Sequence, residues 1–265
     1  MKIIGEKING TRKRVASAIA DRDADFIKEL AVKQAKAGAE WLDVNAGTHP
    51  QQEPEDLIWL IETIQPEVDI PLCLDSANPD ALKVAVKAVE KTPMINSISG
   101  EPDRLTGILP IVAKHGCDVI ALAMDGKKIP EASEKRVEII ENVIVETRAK
   151  DIPDEKLYID PLAMTVATSN QSAVVACETI QAIKQKYPGV NFTIGLSNIS
   201  FGLPNRALIN SAFLILAMQA GLNSAILDPL ENEMQAAIYA TELLLAKDRH
   251  CLNYLRASRK GLFDS

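Results

Sequence analysis

The chain has 265 residues, 47% of them apolar and 25% charged, values that fit one large α/β domain better than two small ones. Its formal net charge of −7 argues against binding to nucleic acids and to anionic membrane surfaces, since both need a basic protein face. The opening MKIIGEKING is too charged for a secretory leader, and no apolar stretch reaches the length of a membrane span. We therefore expect a cytoplasmic protein without a membrane segment.

Apolar runs that resemble strands alternate with amphipathic stretches that resemble helices along the whole chain. In chain order the predicted strands are KIIGE, AEWLDVNAG, IPLCLDSAN, PMINSISG, DVIALAMDG, LYIDPL, FTIGLSN and SAILDPL. Segments with a helical period, such as DFIKELAVKQAKAGA and EKRVEIIENVIVETRAK, lie between them. Eight strands, each followed by a helix, predict an α/β fold of the (β/α)8 TIM-barrel type.

A doubly wound open sheet is the main alternative fold, but such a sheet normally carries a glycine-rich fingerprint after its first strand. The segment GEKINGTRKR does not match that fingerprint. Because no linker or low-complexity segment interrupts the pattern, we expect a single domain over residues 1–265. The final segment, LNYLRASRKGLFDS, is predicted to be a tail or a short closing helix.

The cysteines and histidines are scattered and form no ligand cluster. Without a C-x-x-C pair, the cysteines are expected to be small buried side chains in a reducing compartment. The sequence therefore predicts no bound metal. These residues are Cys73, Cys117, Cys177 and Cys251, and His49, His115 and His250.

Every predicted strand ends in Asp or Asn, and the carboxyl ends of barrel strands converge on the face where active sites are built. One such residue alone is usually a turn former or a helix cap, and Asp125 and Asp228 fit that interpretation. Others lie within apolar sequence, where an unpaired polar group is costly, so we expect them to bind a ligand. The strand-end set is Asn9, Asp43, Asn45, Asp75, Asn96, Asp125, Asp160, Asn198 and Asp228, of which Asp75, Asn96, Asp160 and Asn198 lie in apolar sequence.

The side chains of this set suit a flat heterocycle. They include no nucleophile–base pair and no metal-binding histidines, which argues against hydrolysis by a nucleophile or a metal. A carboxylate accepts two donors side by side, and an Asn matches a neighbouring donor–acceptor edge, as the 2-amino-4-oxopyrimidine ring of a pterin or of guanine presents. Because the acidic segment ILDPLENE after the last strand would repel phosphate, a pterin is favoured over a nucleotide.

Five motifs, in the same order, resemble the pterin-binding barrel of the methyltetrahydrofolate:corrinoid methyltransferases and the similar folate module of cobalamin-dependent methionine synthase. They are GEKING, LCLDSAN, MINSISG, LYIDPL and IGLSNISFGLPNR, and the resemblance covers essentially the whole chain. It implies that Asp75, Asn96 and Asp160 hydrogen-bond the pterin. It also implies that Asn198 is the catalytic residue at N5, the atom that carries the transferred methyl group.

The same resemblance places the loop after the seventh predicted strand in the pterin site. Its glycine and serine would shape the approach of Asn198 to N5, and its arginine would lie near the ligand. Further candidates come from the ends of the first two predicted strands. These additional residues are Gly195, Ser197 and Arg206 in the loop, and Asn9 and Asp43 at the strand ends.

The chemistry implied by the resemblance is methyl transfer between N5 of tetrahydrofolate, or methyltetrahydrofolate, and the cobalt of a corrinoid such as cobalamin. An Asn cannot titrate, but it can donate or accept a hydrogen bond as the charge on N5 changes. Corrinoid-binding modules of this group carry a D-x-H-x-x-G motif, and none of the histidines here lies in one. We therefore expect a separate corrinoid protein that docks on the C-terminal face of the barrel.

The direction of transfer stays open at this point. Methyl could pass to the corrinoid, as in acetyl-CoA synthesis, or to tetrahydrofolate, as in anaerobic demethylation of methoxyaromatics or methylamines. Two other functions remain as alternatives. A dihydropteroate synthase would normally show an Arg-x-His signature late in the chain, where this sequence has ILDPL. A non-catalytic pterin-binding docking protein would have no need of Asn198.

Two surface features complete the predictions. Lys7 and the segment TRKR at residues 11–14 form a small basic cluster, expected to be either a solvated loop or a contact for the folate glutamate tail or an acidic partner. The segment ALINSAFLILAMQAGLNSAIL is more apolar than an outer barrel helix that faces water. It predicts a homodimer formed through the helices around the seventh and eighth strands.

Overall fold

The computed structural model describes residues 1–126 and 128–263. Within them, eight parallel strands form one sheet in the order β7-β6-β5-β4-β3-β2-β1-β8. The sheet closes on itself where Gly195 bridges Ile226 and the Ile226 N–H donates to the Ile194 carbonyl over 2.9 Å. The predicted (β/α)8 barrel is therefore confirmed. The strands are β1 Lys2–Asn9, β2 Trp41–Asn45, β3 Leu72–Asp75, β4 Met94–Ser99, β5 Asp118–Leu122, β6 Leu157–Asp160, β7 Asn191–Phe192 and β8 Ser224–Leu227.

Helices surround this sheet and pack their apolar faces against it. Several begin with a proline in the first turn, as at Pro79 and Pro102, where the missing N–H has no intrahelical partner to lose. The α-helices of the described residues are α1 Lys13–Ala20, α2 Ala24–Lys36, α3 Glu53–Ile64, α4 Pro79–Ala88, α5 Pro102–His115, α6 Ser133–Arg148, α7 Ser172–Lys186, α8 Arg206–Ala220, α9 Asn232–Leu244 and α10 Leu252–Arg259. Short 3-10 helices cover Asp154–Lys156, Leu196–Ser200 and Arg249–Cys251.

The seventh strand is shorter than the predicted FTIGLSN. Regular strand pairing covers only Asn191–Phe192, and Leu196–Ser200 turns into a 3-10 helix. Leu196 and Ile199 on this short helix are buried, so the same apolar residues that predict a strand instead anchor a turn. Asn198 consequently lies on an exposed turn beyond the strand rather than at its end.

The amino end of the barrel is filled by its own small core. Trp41 and Tyr158 meet edge to face with ring centroids 6.1 Å apart, above buried side chains that include Cys73 and Met94. The Lys2 ammonium lies 5.1 Å from the Trp41 ring and 5.4 Å from the Tyr158 ring, and it donates to the Tyr158 hydroxyl over 2.9 Å. Aromatic faces attract such a cation. The ammonium group and the two rings, together with the buried side chains beside them, close this end of the barrel.

The C-terminal segment folds back as the short helix α10, as predicted, and Phe263 packs on Tyr254 with ring centroids 4.9 Å apart. Asp264 and Ser265 lie outside the described residues. The buried positions of Cys73 and Cys117 agree with the prediction for cysteines, whereas Cys251 is exposed. Among the helices of the described ranges, none combines the length and the apolarity that crossing a membrane requires.

Candidate functional site

The polar strand ends of β2, β3 and β4 form one hydrogen-bonded cluster at the carboxyl end of the barrel. Asn45 Nδ2 donates to Asp75 Oδ2 over 2.8 Å, and Asn96 Nδ2 donates to Asp43 Oδ1 over 3.2 Å. The parallel register places Asp75 beside Asn96 on neighbouring strands. Each carboxamide thus turns its NH2 group toward a carboxylate, which leaves the Asn96 carbonyl and the second Asp75 oxygen to meet a ligand.

Two carboxyl groups of this cluster have perturbed ionisation. Burial and the negative charge of Asp75 raise the pKa of Asp43 well above its ordinary value, against the hydrogen bond from Asn96. Burial also raises the pKa of Asp75, and the hydrogen bond from Asn45 opposes that rise. Like charges in one buried site resist joint ionisation, so the pair can hold a proton that a single exposed carboxylate would release.

Asp160 ends β6 and is only 6% exposed. The Leu162 N–H donates to its Oδ1 over 2.7 Å. Burial raises the pKa of Asp160 to about 6, while hydrogen bonds from the Leu162 and Gly195 N–H groups and the charge of Arg136 oppose that rise. Asp160 is therefore ionised at neutral pH, with hydrogen-bond acceptor capacity for a ligand.

The 3-10 turn at Leu196–Ser200 carries the exposed Asn198. Gly195 gives this side chain its space, because a Cβ there would lie 2.9 Å from Asn198 Nδ2, tighter than ordinary van der Waals contact. Ser197 Oγ donates to Glu6 Oε2 over 3.2 Å, which ties the turn to β1. The turn thus presents the Asn198 carboxamide from a backbone segment that is anchored to the barrel.

Arg206 holds this turn in place. Its Nη2 donates to the Ser197 carbonyl over 2.6 Å and its Nε donates to Ser200 Oγ over 3.0 Å. The family resemblance implies that Arg206 lies near the ligand. In the structure its side chain supports the loop that carries Asn198. A guanidinium suits this task because its planar fork can hold two acceptors at once.

The strand ends of β1 and β8 use their side chains locally. Asn9 Oδ1 accepts hydrogen bonds from the backbone N–H and the hydroxyl of Thr11. Asp228 forms an ion pair with Lys7 at 2.6 Å and accepts the Leu230 N–H, in agreement with its prediction as a turn residue. Asp125 lies beyond β5, and its half-exposed carboxylate is 3.8 Å from Lys135.

The predicted basic cluster is largely paired with acidic side chains. Lys7 pairs with Asp228, Arg12 with Glu6 at 2.5 Å, and Arg14 with Asp23 at 2.6 Å. Ion pairs at the protein surface contribute little to stability, but here they reduce the net positive charge of the cluster. Its contact with a glutamate tail or an acidic partner stays a prediction.

Sequence reasoning missed three residues of this region. Glu6 is a half-buried acid in the middle of β1 that holds Ser197 and Arg12. Asn45 belongs to the strand-end pattern but was not predicted to orient Asp75. Arg136 lies on α6 yet is buried beside the turn after β6. Glu6 is one of several charged residues in β1 (KIIGEKIN), so no local pattern singled it out, and the roles of the other two depend on tertiary contacts.

The described residues contain no group of three His, Cys, Asp or Glu side chains placed to hold a metal ion. The clustered acceptors and carboxamides, the ionised Asp160 and the exposed Asn198 together provide complementary partners for a flat ring with several N–H donors. That arrangement agrees with the pterin predicted from the sequence, and comparison with known proteins points to the same class of ligand.

The family model of pterin binding enzymes matches residues 5–228. The chain is 40% identical to a methylcorrinoid:tetrahydrofolate methyltransferase of Eubacterium limosum over 263 residues, which cover 98% of this chain and 97% of that protein. It is 30% identical to a methionine synthase of Mycobacterium tuberculosis over 84% of this chain, although the match spans only 20% of that longer protein.

Among solved structures, a dihydropteroate synthase of Stenotrophomonas maltophilia with imidazole bound in its active site superposes with a TM-score of 0.68. The match covers 94% of each chain at 20% sequence identity, a likeness of fold. The resemblance read from the five motifs is confirmed by the full-length match: the chain belongs to the pterin-binding enzymes and, within them, to the group of the methylcorrinoid:tetrahydrofolate methyltransferases.

Proposed function

We propose that this protein transfers a methyl group between the cobalt of a corrinoid and N5 of tetrahydrofolate, as an enzyme of one-carbon metabolism in the cytoplasm. The observation that carries this proposal is the 40% identity to the Eubacterium limosum enzyme over nearly the full length of both chains. That relative's name gives a methylcorrinoid as donor and tetrahydrofolate as acceptor. We assign the same direction to this chain, which favours a role in anaerobic demethylation over acetyl-CoA synthesis.

In this proposal the pterin ring binds among Asp75, Asn96 and Asp160. The ionised Asp160 accepts two neighbouring N–H donors of the aminopyrimidine edge, as carboxylates do side by side. The Asn45 and Asp43 contacts orient Asp75 and Asn96, so their free oxygens face the ligand. Preorganised acceptors of this kind lower the entropy that binding must overcome.

Asn198 is the proposed catalytic residue at N5. The N5 lone pair attacks the methyl carbon while the electrons of the carbon–cobalt bond remain on cobalt, and the methylated N5 carries a positive charge until it releases its proton to solvent water. The Asn198 carbonyl oxygen can accept the N5–H hydrogen bond while that charge develops. Stabilisation of developing charge by one positioned group contributes up to about 100-fold in rate.

The methyl donor is proposed to be a corrinoid held by a separate protein that docks on the carboxyl face of the barrel. Asn198 lies exposed on that face, and Phe201, three residues further along the same loop, is 68% exposed. Thr165 Oγ1 donates to the Phe201 carbonyl over 2.6 Å, which ties this loop to the one after β6. The two loops together supply a surface for the docking partner.

We also propose a homodimer formed through α8. Its outward face carries large apolar side chains, with Leu208 74%, Ile215 41% and Leu216 57% exposed. A run of exposed leucine and isoleucine on one helix marks an interaction surface more often than a solvated one. The face runs from Leu208 in the first turn of α8 to Leu216 two turns further along the helix.

Isothermal titration calorimetry with methyltetrahydrofolate tests the pterin site. We expect micromolar binding by the wild type, loss of binding in Asp160→Ala, and retained binding in Asn198→Ala. Methyl transfer from methylcobalamin to tetrahydrofolate then tests catalysis, with Asn198→Ala strongly impaired. Absence of binding by the wild type would refute the proposal, and binding without any transfer to or from a competent corrinoid protein would favour a pterin-binding docking protein. Condensation of a pterin pyrophosphate with p-aminobenzoate would favour a dihydropteroate synthase.

A further inference from the structure

Arg136 is a buried cation whose hydrogen-bond partners are backbone carbonyls. It lies in the first turn of α6, and 2% of the residue is exposed. Within residues 1–126 and 128–263 its guanidinium forms no ion pair with an acidic side chain closer than 4 Å. Burying a charge costs free energy that its hydrogen-bond partners must offset. The identity of those partners therefore shows what the arginine holds.

All three hydrogen bonds of the Arg136 guanidinium go to backbone carbonyls. Its Nε donates to Pro130 over 2.8 Å, and its Nη1 donates to Pro161 over 2.7 Å and to Leu162 over 2.6 Å. Pro161 and Leu162 immediately follow Asp160. The arginine thus connects the loop before α6 to the turn after β6 and donates to both carbonyls of that turn.

The turn after β6 needs such support. Leu162 has a φ of 66°, a left-handed conformation that a bulky L-residue rarely adopts. In the same turn the Leu162 N–H donates to Asp160 Oδ1, 2.7 Å away. Because the turn is unfavourable on its own, the hydrogen bonds from Arg136 help to keep the N–H directed at the carboxylate.

The charged and polar groups around the Asp160 carboxylate come from three sides. Its own loop contributes the Leu162 N–H, the segment after β7 contributes the Gly195 N–H, and α6 contributes the Arg136 charge. On the β5 side its register partner is the apolar Leu122. Arg136 is the one positive charge in this set, and its hydrogen bonds go to the backbone carbonyls of the turn.

We propose that Arg136 is a positioning residue for pterin binding: it fixes the turn after β6 and keeps the Asp160 carboxylate ionised and aimed into the barrel mouth. The inference rests on the proposed function, in which Asp160 accepts hydrogen bonds from the pterin. Arg136 itself contacts backbone carbonyls, so its effect on the ligand passes through Asp160.

The test compares Arg136→Met and Arg136→Lys with the wild type in calorimetric titrations with methyltetrahydrofolate between about pH 5.5 and about pH 8.5. Arg148→Met is the matched control, since Arg148 lies on the same helix but is half exposed and pairs with Asp154. The wild type should lose affinity as the pH falls through about 6, where Asp160 takes up a proton. Arg136→Met should raise this midpoint by about one pH unit, so binding weakens by about twofold at pH 7 and by nearly tenfold at about pH 5.5, and it recovers at high pH.

Arg136→Lys keeps a positive charge, but its compact ammonium group lacks the planar fork that reaches carbonyls on two loops, so we expect a smaller upward shift of the midpoint and a smaller loss of affinity at pH 7. The inference is overturned if Arg136→Met shows the same pH midpoint and affinity as the wild type. It is also overturned if Arg136→Met loses affinity equally at every pH, because a purely structural role would give that result. If Arg136→Met does not fold, Arg136→Lys decides: an upward shift of its pH midpoint supports the inference, and an unchanged midpoint overturns it. Failure of the wild type to bind at any pH refutes the proposed function itself.

Discussion

Replacing Asp160 with Asn should make the free protein more stable while it weakens tetrahydrofolate binding. Burial raises the pKa of Asp160 from 3.8 to about 6, a difference that corresponds to ~3 kcal/mol. Because the pKa is higher in the folded than in the unfolded chain, ionised Asp160 destabilises the fold. This penalty is fully present above about pH 6, shrinks as the pH falls, and is absent below about pH 4.

An Asn at this position removes the charge but also weakens the hydrogen bonds that the carboxylate accepts from Leu162 and Gly195. The expected net gain at pH 8 is about 1–2 kcal/mol, or about 3–6 °C in Tm for a chain of this size. Binding of methyltetrahydrofolate should weaken by about 30-fold, since one charged acceptor toward the ligand is lost.

Thermal and urea unfolding of Asp160→Asn and the wild type at pH 8 and at about pH 4.5 measures the effect. Asp80→Asn is the matched control, because the Asp80 side chain is 81% exposed and should change stability little at either pH. A variant less stable than the wild type at pH 8, or a gain of equal size at both pH values, would show that buried ionised Asp160 is not a source of instability.

Three further outcomes test the loop and the dimer. Asn198→Ala should lower the rate of methyl transfer by about 100-fold with Kd for tetrahydrofolate and Tm nearly unchanged, because the side chain is exposed; an unchanged rate in stopped-flow assays contradicts its role at N5. Arg206→Ala should lower kcat by about tenfold with a smaller effect on Kd, since it releases the Ser197 carbonyl that orients the catalytic turn; equal effects on both parameters would indicate direct ligand contact. Leu216→Glu should convert a dimer into a monomer in light scattering at micromolar concentration, and a monomeric wild type would refute the α8 interface.

The barrel could be predicted because its pattern is local. Each strand is a short apolar run and each helix a periodic segment, so the alternation appears directly in the chain. The exception is the seventh strand, where the run around Gly195 predicted extended structure up to Asn198. A buried turn and a buried strand need the same apolar side chains, and the choice of the 3-10 turn depends on contacts such as that of Ser197 with Glu6.

The candidate site could be predicted only where topology dictates it. Polar residues at the ends of β2, β3, β4 and β6 must meet on one face of a barrel. Asn96 does donate to Asp43, and Asn45 donates to Asp75, which lies beside Asn96 in the sheet. Arg136 lies in EKRVE at the start of an amphipathic helix, a context typical of a solvated arginine. Arg136 is buried because the loops before α6 and after β6 pack around it. A local sequence pattern does not predict that packing.

The aromatic plug at the amino end of the barrel has a consequence for the order of events in catalysis. Because Lys2, Trp41 and Tyr158 fill that end, the folate and the corrinoid partner of the proposed function would share the opposite opening. A protein seated on that opening covers whatever lies beneath it. The proposed function therefore predicts that tetrahydrofolate enters before the partner docks and that the methylated product leaves after the partner departs, an ordered reaction with folate as the first substrate.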